Sequence, residues 1–275
     1  MTGLPARVGV YGGGRMGAGI AHAFAAAGAD VIVIENDTQT ADAAVERIQK
    51  SLAKAAEKGA PVPGEITVLT DPDTLADTGL VIEAVPELVD VKTSVLTTVA
   101  ASAPEATIGT NTSSLSIDVL AEALPDPSRL IGLHFFNPVP VSDLVEIVVG
   151  ARTDPTLVAR ATSWVQALGK TAITVTDSPG FASSRLGVAI ALEAMRMLDE
   201  GVASAADIDT AMTLGYRHPV GPLKTTDIVG LDVRLAIAEH LERELGPRFA
   251  PPKVLRDKVV SGELGRKTGR GFYQW

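Results

Sequence analysis

Residues 7–17, RVGVYGGGRMG, narrow the possible folds more than any other part of the chain. A short β-branched run, Arg7–Tyr11, leads straight into Gly12-Gly13-Gly14-Arg15-Met16-Gly17, which satisfies G-x-G-x-x-G. Glycines at these places let the turn be tight, let the backbone approach a pyrophosphate, and let the following helix pack closely on the strand. The N-terminus of that helix offers unpaired N–H groups to an anion. Gly12, Gly14, Met16 and Gly17 are therefore read as binding a dinucleotide. A second run, Val31–Ile34, ends at Glu35, about 20 residues past the glycines, as the fingerprint requires. A carboxylate there accepts hydrogen bonds from ribose hydroxyls and repels a 2′-phosphate, and no arginine stands beside it in Asn36-Asp37, which favours NAD over NADP. The plainer alternative for Glu35 is a solvated acid at a strand end.

The chain has 275 residues, 46% of them hydrophobic, enough for two domains with sizeable cores. Its net charge of -9 argues against general nucleic-acid binding, which needs an excess of Lys and Arg on one face. A phosphorylated small ligand held by a local cationic cluster stays compatible with it. Without cysteine there is no disulfide, no thiolate nucleophile and no Cys-ligated metal, and no metal site is expected. The first residues lack the apolar core of a secretory signal, and no apolar run is long enough to span a bilayer, so a cytoplasmic protein with no membrane partner is expected.

Periodicity organises the first part into strands alternating with helices, the pattern of a parallel sheet covered by helices. Helices are expected over Met16–Ala27, with Ile20, Ala23, Phe24 and Ala27 on one face, and over Thr38–Lys58, closed by Gly59 and the Pro61/Pro63 pair. Further strands fit Ile66–Leu69, Leu80–Ala84, Thr107–Thr110, Leu130–Phe136, Leu144–Val149 and Ala172–Val175. Beyond Asp177-Ser178-Pro179-Gly180 no run is strand-like. Phe181–Asp199 reads as one long helix, Ser204-Ala205-Ala206-Asp207 as a capped helix start, and Gly221-Pro222 as the start of another. The expected fold class is α/β, with an N-terminal domain over residues 1–178 and an all-helical C-terminal domain over 179–275.

The stretch GLHFFNPVP, Gly132–Pro140, sets one imidazole at the end of an apolar run just before Asn-Pro. Alone, such a histidine is more often a hydrogen-bonded core or turn residue than a catalytic base. The Pro-rich turn, however, returns the chain so that His134 comes near residues of the strand Leu144–Val149.

Seven segments in order make the chain resemble the short-chain L-3-hydroxyacyl-CoA dehydrogenase family, including bacterial 3-hydroxybutyryl-CoA dehydrogenases. They are GGGRMGAGIA from Gly12, EAVPELVDVK from Glu83 to Lys92, NTSSLSI from Asn111 to Ile117, GLHFFNPVP, TDSPGF at the domain junction, DIDTAM with the following GYRHPVGP, and the terminal GRKTGRGFY. The resemblance covers essentially the whole chain. It implies a Rossmann-like NAD-binding domain, a helical C-terminal domain that forms a homodimer, and reversible NAD-dependent oxidation of an L-3-hydroxyacyl-CoA to the 3-ketoacyl-CoA. It places the general base on His134, the carboxylate paired with it on Glu146, and the active-site serine on Ser113. Glu87, Lys92 and Asn111 fall among the cofactor contacts and Asn137 among the substrate contacts. The chain departs from the family in the segment after the junction, where Ser184 stands in place of a common asparagine that supports substrate and histidine. A hydroxyl donates and accepts but is shorter than the amide, so one contact is lost, bridged by water or made elsewhere.

The chemistry suits these residues. Removing a hydroxyl proton while hydride leaves the same carbon needs a base that is neutral near pH 7 and whose tautomer is fixed, which a His–carboxylate pair provides. Ser113 would hold the reacting oxygen. Lys54 and Lys58, with Ser51, recur at helical spacing and could hold acyl-CoA phosphates, or form a solvated face. His22, His218 and His240 are more simply structural or solvated. Two alternatives stand beside this reading: a dehydrogenase of a related hydroxyacid such as L-gulonate, and a non-catalytic NAD-binding relative.

Overall fold

Short, mostly aliphatic runs, with Glu146 as the one charge in a strand interior, suit a sheet largely buried on both faces. In the computed structural model, which describes residues 3–60 and 64–275, those runs form one eight-stranded sheet inside the first of two compact units, which divide after Ser178. The strands are β1 (Arg7–Tyr11), β2 (Asp30–Ile34), β3 (Ile66–Leu69), β4 (Leu80–Glu83), β5 (Thr107–Thr110), β6 (Leu130–Phe135), β7 (Leu144–Val149) and β8 (Thr171–Thr176). Their order is β3-β2-β1-β4-β5-β6-β7-β8. Every neighbouring pair is parallel except β6 and β7, which are antiparallel. The order turns back at β1, between β2 and β4, and in such sheets ligands bind outside the carboxyl ends of the strands at that point. The Rossmann-like expectation is met, and the last two strands extend it.

The covering helices are α1 (Arg15–Ala26), α2 (Thr38–Glu57), α3 (Val89–Ser102), α4 (Ile117–Ala121) and α5 (Pro155–Ala167). A capping box starts α2: Asp37 accepts from the Thr40 amide at 2.8 Å while the Thr40 hydroxyl accepts from the Asp37 amide. Helix α3, VDVKTSVLTTVAAS, is rich in β-branched residues and has no clear helical signature; burial of Val95, Leu96 and Val99 overrides its strand preference. Asp154 caps α5, which buries Leu157, Ala161, Trp164 and Val165. The α2 helix ends at Glu57 and Gly59 follows at φ +69°, while Pro61 and Pro63, expected to close it, lie outside the described residues.

The second unit, Pro179–Trp275, contains α6 (Ser183–Asp199), α7 (Ala205–Thr210), α8 (Pro222–Val229), α9 (Leu231–Leu245) and α10 (Lys253–Val260). The long helix begins two residues later than expected because Gly180 at φ +75° and Phe181 at φ +48° occupy the left-handed region and cannot join a right-handed helix. Val188, Leu192, Met195, Leu223, Leu231, Leu241 and Leu255 form its core. Two buried carboxylates organise what packs on it. Asp209 accepts from the amides of Leu223 and Lys224, capping α8, and from the Tyr273 hydroxyl at 2.8 Å. Asp227 accepts from the amides of Phe272 and Tyr273 and from Trp275 Nε1. A Cβ at Gly271 would lie 2.2 Å from Asp227 Oδ1, so the GRGFY segment needs glycine to close on this aspartate. Both the DIDTAM and GRGFY segments thus have a structural task.

Candidate active site

At the carboxyl end of β1 the glycines do separable work. Gly12 lies at φ +98°, and a Cβ at Gly17 would sit 1.7 Å from Gly12 O, so α1 can start this close to the strand only with glycine there. A Cβ at Gly14 would meet nothing within 4 Å, which leaves the outer side of the turn open. Gly14 is the N-cap of α1 and supplies no side-chain cap, and the first turn carries no acid. Met16 is half-buried against the core, so only its backbone bears on the turn. Glu35, just past β2, accepts from the Gly13 amide at 2.6 Å. Its carboxylate is thereby held over the turn. These features fit a dinucleotide: the helix start would take the pyrophosphate and Glu35 the ribose hydroxyls.

The ends of β4 and β5 are joined by a polar network. Glu83 is fully buried, where it accepts from Lys92 at 2.7 Å and from the Thr110 hydroxyl at 2.7 Å. Lys92 also donates to Val85 O and lies 3.3 Å from Glu87. It is 1% exposed, so it sits beneath the site rather than in it and acts through Glu87. Glu87 Oε1 accepts from the amides of Ser113 and Ser114 and from the hydroxyls of Thr112, Ser113 and Ser114. Burial pushes the Glu87 carboxyl up, but Lys92 and these hydrogen bonds outweigh it and hold the group below the ordinary carboxylate range. The exposed Ser113 is thus anchored by a carboxylate from the neighbouring loop. Asn111 turns the other way: its Oδ1 accepts from the Phe135 amide at 2.9 Å, tying the β5 loop to the end of β6.

His134 and Glu146 are directly opposed across the antiparallel β6–β7 pair. In an antiparallel ladder opposed residues point to the same face, so the register alone brings the two side chains together. His134 Nδ1 lies 2.7 Å from Glu146 Oε2. Both are buried, Glu146 completely, and the Phe136 ring packs on the imidazole at 4.5 Å between centroids. A carboxylate here selects the tautomer and stabilises the imidazolium.

A cavity of about 740 Å³ opens between α1 and α2. Arg15, Ala18, Gly19, His22, Ala23 and Ala26 line it from α1, and Arg47, Lys50, Ser51, Lys54 and Ala55 from α2, joined by Lys58 just after that helix. On each side the spacing is 3, 1, 3, 1 and 3, so one stripe of each helix faces the space. Asn137, Pro138, Val139 and Pro140 close it on a third side. Lys54 and Asn137 therefore share one cavity. Lys170 also lines it, but its ammonium donates to Val139 O and Ser142 O and so holds the turn. Arg47 and Lys50 were not singled out from the sequence; extending the Ser51–Lys54–Lys58 stripe toward the N-terminus would have found both. Ser184 lies in the first turn of α6, in the second unit.

A family profile for the NAD-binding domain of 3-hydroxyacyl-CoA dehydrogenase matches residues 7–178, and one for the C-terminal domain of the same enzymes matches residues 180–275. This chain belongs to the 3-hydroxyacyl-CoA dehydrogenase family. Among its relatives, a probable 3-hydroxybutyryl-CoA dehydrogenase of Deinococcus radiodurans is 41% identical over 98% of this chain and 100% of that protein. The 3-hydroxybutyryl-CoA dehydrogenase of Mycobacterium tuberculosis is 41% identical over 98% of each. Among solved structures, (S)-3-hydroxybutyryl-CoA dehydrogenase from Ralstonia eutropha is 38% identical with a TM-score of 0.92, covering 98% of this chain and 99% of that one. As a member of the 3-hydroxyacyl-CoA dehydrogenase family, the protein is an NAD-dependent oxidoreductase.

Proposed function

We propose that the protein interconverts a short-chain L-3-hydroxyacyl-CoA, such as 3-hydroxybutyryl-CoA, and the corresponding 3-ketoacyl-CoA. The observation that carries this reading is the buried His134–Glu146 pair at 2.7 Å, at the same end of the sheet as the glycine turn. With Nδ1 engaged on Glu146, proton exchange with the substrate hydroxyl falls to Nε2 of His134. As the O–H bond breaks toward the imidazole, the C3–H electron pair leaves as hydride and the carbonyl forms. NAD supplies the hydride acceptor. Glu146 stabilises the imidazolium, and Ser113, whose backbone amide stays fixed on Glu87, turns its hydroxyl from Glu87 to donate to the reacting oxygen. Gly12, Gly14, Met16 and Gly17 present backbone to the pyrophosphate and Glu35 takes the ribose. Glu87 and Asn111 line the cofactor and substrate side, with Lys92 supporting Glu87 from below. Ser184 stands at the sequence position where the resemblance sets a supporting amide.

The cationic stripe Arg47, Lys50, Lys54 and Lys58 suits the phosphates of the CoA moiety, and the small residues opposite it on α1 leave room for its pantetheine arm. Asn137 contributes a polar contact on the third side. Exposed Leu186 and Ile190 on α6, Val229 on α8 and Val233 on α9 support a homodimer formed through the second unit. No helix among the described residues is long and apolar enough to cross a membrane, and a cytoplasmic enzyme is the reading this suits.

The test is NADH oxidation with acetoacetyl-CoA at neutral pH, beside free acetoacetate and beside NADPH. Turnover that requires both the thioester and NADH is expected. Equal turnover on the free acid would overturn the acyl-CoA reading in favour of a hydroxyacid dehydrogenase.

A further inference from the structure

His22 is unexplained by the reaction above. It is buried on α1, between the small residues of that helix, and its Nδ1 lies 2.6 Å from the Ser51 hydroxyl on α2. Both residues line the cavity, and Ser51 is the sole neutral hydrogen-bonding side chain on an α2 stripe that otherwise offers cations and one alanine. A bond this short admits two arrangements. Either the Ser51 hydroxyl donates to Nδ1, leaving only an acceptor toward the cavity, or Nδ1–H donates to Ser51 Oγ, leaving the hydroxyl proton to be given to a ligand. The surroundings choose between them. Arg15 on α1, Arg47, Lys50 and Lys54 on α2 and Lys58 just beyond it face the space, and no carboxylate is among the described residues that line it. Such a field draws an anion, and an anion's oxygens take donors, not acceptors.

We propose that His22 is a positioning residue: its Nδ1–H holds Ser51 Oγ so that the Ser51 hydroxyl donates to a phosphate oxygen of the acyl-CoA. Burial pushes the His22 imidazole below its usual range, which keeps the ring neutral and compatible with the cations around it. This inference rests on the acyl-CoA reading, and it adds a specificity element remote from the reacting carbon.

The test compares acetoacetyl-CoA with S-acetoacetyl-N-acetylcysteamine, a thioester that lacks the nucleotide. For His22→Ala, KM for acetoacetyl-CoA should rise about tenfold, the loss of one hydrogen bond to a charged group, with kcat within about twofold. KM for the truncated thioester should stay unchanged. His22→Asn, whose amide nitrogen can occupy the place of Nδ1, should restore the wild-type KM. Adding Ser51→Ala to His22→Ala should raise KM little further, because the two act as one unit. A KM increase shared by both thioesters, a parallel fall in kcat, no rescue by Asn, or additive single changes would each overturn the proposal. If His22→Ala does not fold, as judged by its melting curve, His22→Asn and Ser51→Ala decide: wild-type KM in the first with raised KM in the second supports it, and any other pair of results overturns it. Should the wild-type enzyme itself fail to prefer acetoacetyl-CoA over the truncated thioester, the acyl-CoA placement fails, whatever His22 does.

Discussion

Replacing Glu146 by Gln keeps the shape of the buried side chain and removes its charge. Glu146 Oε2 lies 2.7 Å from His134 Nδ1, which sets the two charge centres about 4 Å apart when the imidazole is protonated, an interaction of about 4 kcal/mol at an effective dielectric of 20. Glu146 is fully buried, so little of this is screened by solvent. The imidazolium forms only as the substrate proton is transferred, so the loss should fall on the chemical step and not on binding. The expected effect is a fall in kcat of about 100- to 1000-fold, with KM for acetoacetyl-CoA and the dissociation constant for NADH within about threefold of wild type. Steady-state NADH oxidation gives the first two quantities and NADH fluorescence titration the third. A kcat within threefold of wild type would show that the carboxylate does not stabilise the imidazolium. A loss of NADH affinity as large as the loss of kcat would show that Glu146 serves the fold instead of the base.

Three further outcomes follow from the same structure. Lys92→Ala would leave Glu83 buried without its cation and should cost about 3–5 kcal/mol of stability, read as a lowered denaturant midpoint; an unchanged midpoint would mean that the pair is solvated. Asp227→Asn would put an amide nitrogen or an uncharged oxygen opposite the amides of Phe272 and Tyr273 and the Trp275 indole, at a cost of about 3 kcal/mol. It should open the C-terminal segment to trypsin at Lys267 and Arg270, whereas an unaltered digestion pattern would contradict the clasp. Glu87 has a depressed pKa in the folded state, so its stabilising contribution is complete above the ordinary value of 4.5 and is lost as pH falls through the depressed one. Melting temperatures measured from pH 6 to pH 3 should therefore fall less steeply for Glu87→Gln than for wild type, and parallel curves would refute the assignment.

Much of this molecule is local physics and is legible along the chain. The turn from β1 to α1 depends on which positions tolerate a Cβ, and glycine answers that question at each position by itself. The buried parallel strands announce themselves as aliphatic runs, and Asp37 and Ser204 mark helix starts by hydrogen bonds that span three residues. The β-branched content of α3 points the wrong way, because its helicity comes from packing and not from propensity. Phe181 shows the opposite failure: apolar periodicity runs through it, yet its backbone lies in the left-handed region.

What the chain order could not decide is how distant segments meet. Glu146 reaches His134 because β7 reverses direction against β6 in one register, and a slip of one residue would send the carboxylate to the opposite face. Lys92 looks like a ligand contact in sequence, but tertiary packing buries it under Glu83 and Glu87, where desolvation makes its charge structural. The α2 cations gain meaning only when α1 supplies a facing stripe of small residues, and His22 only when it meets Ser51 across that space. Periodicity states which residues share a face of one element; only the packed fold decides what that face meets.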